Sequence, residues 1–409
     1  MSSPDVWRVI GLMSGTSYDG IDVAAADIAL DNAGEEVVLT PLGALERPHD
    51  PAVRELIAEV LPPATVLLED VCRLDTLLGQ AFADAAAHGI EELAGGRADL
   101  VVSHGQTVFH WVEHGRARGT LQLGQPAWIA ERTGVPVVSD LRSRDITRGG
   151  QGAPLVSILD VLLLAPGGHA KAALNLGGIA NMTVVRPDGS VLAYDLGPAN
   201  ALIDLACRRY FDQAYDPDGA HAAAGSVDQA LLARLLDEPY YAMPPPKSTG
   251  KELFNADYLG RKLAGLPDLD PDDILATVTE LTATVVANEC AAHGIGELIV
   301  SGGGVRNPTL IRRIAELVDA TTRPGRPGRQ NGRPVAVRPI DDLGLPADAK
   351  EAYAFALLGF FTAHGIPATI PSCTGATTAS ILGSITPGAE PLRLPLPARR
   401  TPTRLRIQA

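Results

Sequence analysis

The chain of 409 residues is poor in cysteine and in aromatic residues, and it has no excess of basic residues. Its four cysteines, Cys72, Cys207, Cys290 and Cys373, are widely spaced and include no C-x-x-C pair. This argues against a zinc site or a disulfide framework and favours a reducing cytoplasm. Aromatic residues make up 4% and the formal net charge is −14. Nucleic acids and anionic membrane surfaces are therefore not expected as main partners.

Long apolar segments and the common nucleotide motifs are also missing. No run of about 18 apolar residues predicts a membrane span, and the first residues lack the basic and apolar regions of a signal peptide. Neither G-x-x-x-x-G-K-[ST] nor G-x-G-x-x-G occurs, so neither a P-loop nor a Rossmann dinucleotide site is supported. Residues 110–114 (HWVEH) match the zinc pattern H-x-x-E-H. Gly115 follows at once, so the two histidines are not expected to share a helix face.

The chain does contain a large apolar fraction, 46%, and an alternation of strands, helices and glycine-rich turns. Each half opens with three strands, a glycine-rich first turn and then a helix, and residues 166–168 (PGG) separate the halves. This predicts an α/β fold with domains at residues 1–166 and 167–386 and a surface tail at 387–409. A last helix near 375–386 is a candidate to pack back on the first domain. Residues 321–334, rich in Arg, Pro and Gly, predict a surface loop.

Residues 11–20 (GLMSGTSYDG), between two apolar strands, predict a hairpin turn that binds nucleotide phosphates. Its glycines let the backbone approach a ligand, and consecutive N–H groups in such a loop can form an anion-binding nest. Asp19 stands at the rim, where it is a candidate ligand of Mg2+, directly or through water. The candidate nucleotide-binding residues are Gly11, Ser14, Gly15, Thr16, Ser17, Asp19 and Gly20. The alternative is an ordinary turn rich in glycine and serine.

Two further glycine-rich turns follow strands in the second half of the chain. Three such turns indicate a cradle for a triphosphate more strongly than one turn does, with the third under the nucleoside. The candidate residues of these two turns are Gly177, Gly178, Asn181, Gly302, Gly303, Gly304 and Asn307. Asn307 followed by Pro308 also has the form of a helix N-cap and first turn.

Asp195 stands at the end of a strand and just before a helix, where α/β sheets line ligand crevices. A carboxylate at this place is a candidate general base, and a helix-capping role is the alternative. Four further residues are polar candidates for substrate binding. They are Arg142, Asp145 and Gln151, which cluster after a strand, and Lys247, in a loop that is otherwise expected to be solvated.

Several motifs, taken together, resemble the anhydro-N-acetylmuramic acid kinases. The first is residues 11–22 (GLMSGTSYDGID). The others are, in chain order, residues 103–108 (SHGQTV), 149–155 (GGQGAPL), 175–181 (NLGGIAN), 246–250 (PKSTG), 302–304 (GGG), 307–308 (NP), 351–352 (EA) and 374–376 (TGA). The resemblance covers nearly all of the chain.

The resemblance implies two ribonuclease-H-like domains of the actin-like ATPase and sugar-kinase superfamily, with ATP in the cleft between them. It implies hydrolytic opening of 1,6-anhydro-N-acetylmuramic acid and phosphate transfer from ATP to the freed 6-oxygen. The products are N-acetylmuramate 6-phosphate and ADP, in peptidoglycan recycling, and members are similar in being homodimers. The resemblance makes Asp195 the base for water. It adds Gln106, Thr107 and Glu351 to the substrate-binding candidates, although Glu351 alone reads as a first-turn charge.

The chain departs from the family pattern at three positions. Leu196 and Ala199 stand near Asp195 where a Thr and a Gly are usual, and Gln125 stands where an acidic residue is frequent. Two other functions stay open: another actin-like sugar kinase with a simple hydroxyl substrate, and a non-enzymatic actin-like ATPase. The first often carries a cysteine-rich zinc motif, and the second a long partner-binding insertion or a peptide-binding domain. None of these features is found in the sequence.

Overall fold

The computed structural model describes residues 6–15, 17–31, 33–245, 247–322 and 335–408. Thr16 and nearly all of the loop expected at 321–334 lie outside these residues. The described chain divides into two compact units. One comprises the residues up to Ala165 together with those from Gly344 onward, and the other runs from Pro166 to Leu343.

The secondary structure alternates between strands and helices throughout. The strands of the described residues are β1 (Trp7–Ser14), β2 (Gly20–Leu30), β3 (Glu36–Pro48), β4 (Leu100–Glu113), β5 (Arg116–Leu123), β6 (Val137–Ser139), β7 (Ala170–Leu176), β8 (Ile179–Val185), β9 (Val191–Pro198), β10 (Ile295–Ser301), β11 (Ala336–Pro339), β12 (Ser384–Thr386) and β13 (Arg404–Ile407). The helices of the same residues are α1 (Pro51–Val60), α2 (Leu68–Glu92), α3 (Pro126–Thr133), α4 (Ser143–Thr147), α5 (Ser157–Leu164), α6 (Asn200–Phe211), α7 (Ala220–Ala224), α8 (Gln229–Leu236), α9 (Pro239–Ala242), α10 (Ala256–Leu263), α11 (Pro271–His293), α12 (Pro308–Thr322), α13 (Lys350–Ala363) and α14 (Pro371–Thr374). Each helix in this part of the chain is too short or too polar to cross a membrane.

The two units share one sheet topology. In the first unit the strand order is β12-β6-β4-β1-β2-β3-β13, with β5 paired to β4. In the second unit the order is β11-β10-β7-β8-β9. In each sheet the first strand continues into two antiparallel strands on one side and has a parallel strand on the other. This is the strand order of a ribonuclease-H-like domain, and it confirms the predicted α/β fold class. A nucleotide cleft between the units stays a prediction.

Helices cover both faces of the sheet in the first unit. Ile10 and Leu12 of β1 pack with α2 residues such as Phe82 in one apolar cluster. Between them, Gly11 points to the opposite face, where a Cβ would lie only 2.0 Å from the carbonyl oxygen of Ala352 on α13. Strands that are buried on both faces read as continuous apolar runs, which is the pattern of residues 9–13 (VIGLM).

The domain boundaries are only partly as expected. The division between Ala165 and Pro166 agrees with the predicted junction within one residue. The second boundary is different, because α13 packs on β1, β2 and β4 and so brings residues 344–386 into the first unit. Residues 375–386 form no helix, and their strand β12 pairs with β6. The expected surface tail also contributes a strand, since β13 pairs in parallel with β3.

Candidate active site

The first glycine-rich turn is held by a buried polar network. Ser14 Oγ lies 2.6 Å from Gln106 Oε1, 3.0 Å from the Gly20 carbonyl oxygen and 3.0 Å from His49 Nε2. Gln106 Nε2 donates in turn to the carbonyl oxygen of Gly15 at 3.2 Å. Ser14 and Gln106 were predicted as ligand-binding residues, but these bonds tie their side chains to the turn itself. Gly15 lies partly exposed, so its backbone is accessible.

Two glycines of this turn are required by close packing. A Cβ on Gly20 would lie 2.7 Å from the carbonyl oxygen of Arg47, its neighbour on β3, and Gly11 is packed under α13. Both were predicted to let a ligand approach. In the structure, each glycine leaves room for the backbone of a neighbouring element of the protein. Ser17 is exposed, and Thr16 lies outside the described residues.

Asp19, the predicted Mg2+ ligand, is half exposed at the rim of the turn and its Oδ1 is bonded to Arg54 Nη2. The carbonyl oxygen of Asp19 accepts a hydrogen bond from the His49 amide at 3.0 Å. Within the described residues, Oδ2 of Asp19 has no protein partner. One carboxylate oxygen is therefore available to a hydrated cation, and the other is neutralised by Arg54. The described residues contain no group of three metal-ligating side chains.

The second and third glycine-rich turns lie side by side in the second unit. They follow β7 and β10, which pair in parallel so that Asn175 stands opposite Ser301. A Cβ on Gly302 would lie 2.4 Å from Asn175 Oδ1, and a Cβ on Gly304 would lie 3.3 Å from Asn200 Oδ1. The structure thus brings together two turns that are over a hundred residues apart in sequence.

The members of these two turns are not equivalent. The carbonyl oxygens of Gly177 and Gly178 accept hydrogen bonds from the first amides of α6. The Lys251 side chain packs close to Gly178, since a Cβ built on this glycine would lie 3.2 Å from Lys251 Cε. Asn181 lies opposite Asp195 on the neighbouring strand. Gly303 has open space around its Cα. Asn307 is buried, and its Oδ1 accepts from the Leu310 amide at 2.9 Å, so it caps α12.

Asp195 Oδ2 accepts hydrogen bonds from the Ser248 hydroxyl at 2.9 Å and from the Thr249 amide at 3.0 Å. Oδ1 accepts none from the part of the chain that the structure describes. Helix α6 begins at Asn200 with Ala199 at its N-cap position, so Asp195 is not the helix cap. Burial raises the pKa of Asp195, and the two hydrogen bonds act in the opposite direction. A carboxylate with one restrained and one open oxygen has the form of a general base.

Lys247 was predicted as a substrate-binding residue, and its side chain is buried. Nζ donates to the carbonyl oxygen of Tyr241 at 3.0 Å, lies 3.8 Å from Glu289 Oε1 and sits 5.0 Å from the ring centre of Tyr240. These contacts satisfy the ammonium group inside the second unit. The same loop then presents Ser248 and Thr249 to Asp195.

In the first unit, the guanidinium group of Arg142 is held by two hydrogen bonds. Nε donates to His104 Nε2 at 2.9 Å, and Nη1 donates to the carbonyl oxygen of Gly152 at 2.7 Å. Burial lowers the pKa of the Arg142 guanidinium, and the charge of Glu351, in the first turn of α13, acts in the opposite direction. Burial also raises the pKa of Glu351 itself. Arg142 and Glu351 influence each other electrostatically, and both stay predicted substrate-binding residues.

Other substrate-binding candidates are occupied by protein partners. Asp145 is fully buried, with Oδ1 bonded to Thr374 Oγ1 at 2.7 Å and Oδ2 to the Gly152 amide at 2.7 Å. Gln151 Oε1 accepts from the Ala117 amide at 2.9 Å, which fastens the β4–β5 hairpin. Thr107 Oγ1 accepts from Gln122 Nε2 at 3.1 Å on the same hairpin.

Some residues of the network were not singled out from the sequence. They are His49, Arg54 and His104. His104 lies inside a motif of the resemblance, so a signal was present without an assigned role. Ser248 and Thr249 belong to the same loop as Lys247, which the sequence makes a candidate for contacting substrate or phosphate. His49 and Arg54 lie outside those motifs, and only the fold brings them to the first turn.

The two histidines of the H-x-x-E-H match at residues 110–114 do not share a helix face, as the sequence predicted. His110 lies in β4 and not on a helix, and His114 stands just after that strand with a positive φ of 50°.

The model of the anhydro-N-acetylmuramic acid kinase family matches residues 7–388 of the chain. The chain belongs to this family.

Relatives in the family are similar over nearly their whole length. An anhydro-N-acetylmuramic acid kinase from Streptomyces coelicolor is 58% identical, over 98% of this chain and 99% of its own. One from Salinibacter ruber is 43% identical, over 92% of this chain and 95% of its own. A solved hexokinase of the ROK class from Thermus thermophilus superposes with a TM-score of 0.35 at 16% identity, covering 86% of this chain and 97% of that one. The fold of this chain follows from the strand order of its two sheets.

Membership in the anhydro-N-acetylmuramic acid kinase family confirms the resemblance drawn from the sequence. It confirms that the chain is an enzyme and an ATP-using kinase, and it favours this function over the two alternatives.

The departures from the usual family pattern have local explanations. Leu196 and Ala199, which stand in place of the usual Thr and Gly, are fully buried in the apolar core of the second unit. Both side chains therefore pack in this core. Gln125 caps α3, where its Oε1 accepts from the Ala127 amide at 3.4 Å. None of the three changes removes a hydrogen bond that Asp195 makes here.

Proposed function

We propose that the enzyme opens 1,6-anhydro-N-acetylmuramic acid with water and transfers the γ-phosphoryl group of ATP to the freed 6-oxygen. Water attacks the anomeric carbon and gives its proton to Asp195, while the bond from that carbon to the 6-oxygen breaks. The 6-oxygen then attacks the γ-phosphorus, and ADP leaves. The products are N-acetylmuramate 6-phosphate and ADP, which suits an enzyme of peptidoglycan recycling.

The geometry of Asp195 is the observation that supports this proposal best. Its Oδ2 is fixed by Ser248 and Thr249, and its Oδ1 is free of protein partners among the described residues. A base must be held in place while one oxygen stays open to the proton it receives. The raised pKa of Asp195 makes it a stronger base than an exposed aspartate.

The three glycine-rich turns are proposed to bind the triphosphate through backbone N–H groups. Phosphoryl transfer depends mainly on positioning and on neutralising charge. Mg2+, when bound, neutralises phosphate charge, and Asp19 with its unpaired Oδ2 fits this cation through a water molecule. Arg54 holds the other oxygen and so orients the Asp19 carboxylate.

Arg142 and Glu351 are proposed to bind the sugar. The remaining candidates, Asp145, Gln151, Thr107 and Lys247, support the site through their hydrogen bonds to other parts of the protein. A homodimer and a cytoplasmic location are part of the proposal and derive from the family resemblance. Light scattering coupled to size-exclusion chromatography measures the oligomeric state.

Mass spectrometry of 1,6-anhydro-N-acetylmuramic acid incubated with protein, ATP and Mg2+ tests the reaction. A product heavier by one phosphoryl group plus one water is expected. N-acetylmuramic acid, which is already open, serves as the comparison sugar. A phosphorylated product without added water, or phosphorylation of the open sugar alone, would make the protein an ordinary sugar kinase. Turnover that persists without ATP would contradict the coupled mechanism.

A further inference from the structure

His104 in β4 is a buried side chain with two defined hydrogen bonds. Its Nδ1 lies 2.7 Å from the carbonyl oxygen of Gly105, and its Nε2 lies 2.9 Å from Arg142 Nε. The ring packs against Phe355 of α13 with centroids 4.7 Å apart. Only 4% of His104 is exposed, so these contacts leave it little freedom to turn.

The two bonds determine the protonation state of the ring. An arginine Nε can only donate, so His104 Nε2 must be the acceptor. Nδ1 must then carry the proton that is donated to the Gly105 carbonyl. Burial and the Arg142 charge lower the pKa of His104 to about 3, which agrees with a neutral ring at all ordinary pH values.

The same bond orients the guanidinium group of Arg142. His104 takes Nε, and the carbonyl oxygen of Gly152 takes one N–H of Nη1. Nη2 donates to no partner within the described residues. A guanidinium is a rigid plane of five N–H groups, so the bonds at Nε and Nη1 also fix the direction of Nη2. The Nη2 donors suit a carboxylate, because hydrogen bonds between arginine and carboxylates are charge-assisted and strong.

We propose that His104 is a positioning residue that aims Nη2 of Arg142 at the lactyl carboxylate of the substrate. This rests on the proposed function, because the carboxylate belongs to the muramic acid sugar. His104 does not touch the substrate. It acts by supplying a neutral acceptor where a charged histidine would repel the guanidinium.

The decisive comparison uses two sugars and two substitutions at one position. The sugars are 1,6-anhydro-N-acetylmuramic acid and 1,6-anhydro-N-acetylglucosamine, which lacks the lactyl carboxylate. His104→Gln places an oxygen near the position of Nε2 and can still accept from Arg142. The shorter side chain in His104→Asn reaches only the position of Nδ1, so it cannot accept a hydrogen bond from Arg142. His364→Asn is the matched control, since His364 is also buried in this unit with Nδ1 2.8 Å from a backbone carbonyl oxygen.

Isothermal titration calorimetry of the full chain measures the dissociation constants. His104→Asn is expected to weaken binding of the carboxylate sugar about 10- to 100-fold. The dissociation constant of the sugar without the carboxylate should change by no more than about twofold, since that sugar offers Arg142 no anion. His104→Gln is expected to recover most of the loss, and His364→Asn to change neither constant. An equal loss for both sugars, no loss, or no recovery by His104→Gln would overturn the proposal.

A second measurement uses only the wild-type protein, so it decides the proposal even if the variants fail to fold. In wild-type protein labelled with ¹⁵N at histidine and arginine, His104 should show the neutral tautomer protonated at Nδ1. The carboxylate sugar should shift the Arg142 Nη signals, and the other sugar should not. The absence of either effect would overturn the proposal. If wild-type protein binds the sugar without phosphorylating it, the proposed function fails while the role of His104 is still decided. If it binds neither sugar, both fail.

Discussion

At the scale of single residues, the structure separates side chains that hold the site from side chains that are free to act in it. Asp195 is fixed at Oδ2 and Arg142 at Nε and Nη1, while Asp195 Oδ1 and Arg142 Nη2 have no partner among the described residues. Asp145 and Lys247 have all their polar atoms directed to protein partners. The sequence does not distinguish these two groups, because the type of a polar residue does not show whether its side chain is bonded to the protein or free to meet a ligand.

The role of Asp195 leads to a prediction for activity and its pH dependence. Asp195→Asn should reduce turnover about 10²- to 10⁴-fold, as expected for loss of a general base, and should leave ATP binding intact. The base works only when deprotonated, and burial raises its pKa. Activity should therefore fall as the pH drops, and the fall should begin above the usual range of an exposed aspartate.

Steady-state kinetics from acid to neutral pH and a nucleotide titration measure these effects. Asp188→Asn is the control, because Asp188 is exposed in a turn of the same unit. Near wild-type turnover in Asp195→Asn would remove Asp195 from the mechanism.

At the scale of elements, local sequence patterns predicted most helices and strands. The sequence predicts helices at residues 51–60 and 272–293, and the structure has α1 at Pro51–Val60 and α11 at Pro271–His293. Both helices begin with an aspartate cap followed by proline, which is a strong local signal. The sequence predicts a short strand at residues 99–103, whereas β4 runs from Leu100 to Glu113 because it continues into a hairpin with β5. That pairing depends on a partner strand and not on local pattern.

Helix α13 approaches β1 so closely that Gly11 has no room for a side chain. Gly11→Ala would put its Cβ 2.0 Å from the Ala352 carbonyl oxygen, and helix backbone cannot move as a flexible side chain can. We expect a loss of stability of about 1–3 kcal/mol or more, the range for overpacked cores.

Urea unfolding followed by circular dichroism measures this loss. Gly119→Ala is the matched control in the same unit, because its Cβ would lie at 3.6 Å from Trp111, an ordinary contact distance. It should change the unfolding free energy by less than about 1 kcal/mol. Equal stability of the two variants would show that β1 and α13 are not packed this closely.

At the scale of the whole molecule, the first unit is built from both ends of the chain. The chain leaves it after Ala165, forms the second unit, and returns from Gly344 onward. α13 fills one face of the first sheet, and β13 extends its edge beside β3. Stability of the first unit should therefore depend on residues near the C-terminus.

Leu405 in β13 is buried, whereas Leu396 in the same tail is 91% exposed. Leu405→Ala should destabilise the first unit by about 2 kcal/mol or more, as for other buried leucines. Leu396→Ala, the control, should have little effect. Hydrogen exchange with mass spectrometry should show faster exchange in β3 for Leu405→Ala alone. Unchanged exchange in β3 would mean that β13 contributes no stability to that edge.

The sequence by itself determined the fold class, the family and the segments that carry the chemistry. These depend on local periodicity, on glycine and proline signals and on motifs that are read along the chain. The tertiary structure decided which unit owns residues 344–386, which candidates are free to meet a ligand, and which partners orient Asp195 and Arg142. The physical reason is that packing, burial and hydrogen-bond geometry are relations between residues distant in sequence. His104 and Arg142 lie 38 positions apart, and only the fold joins them.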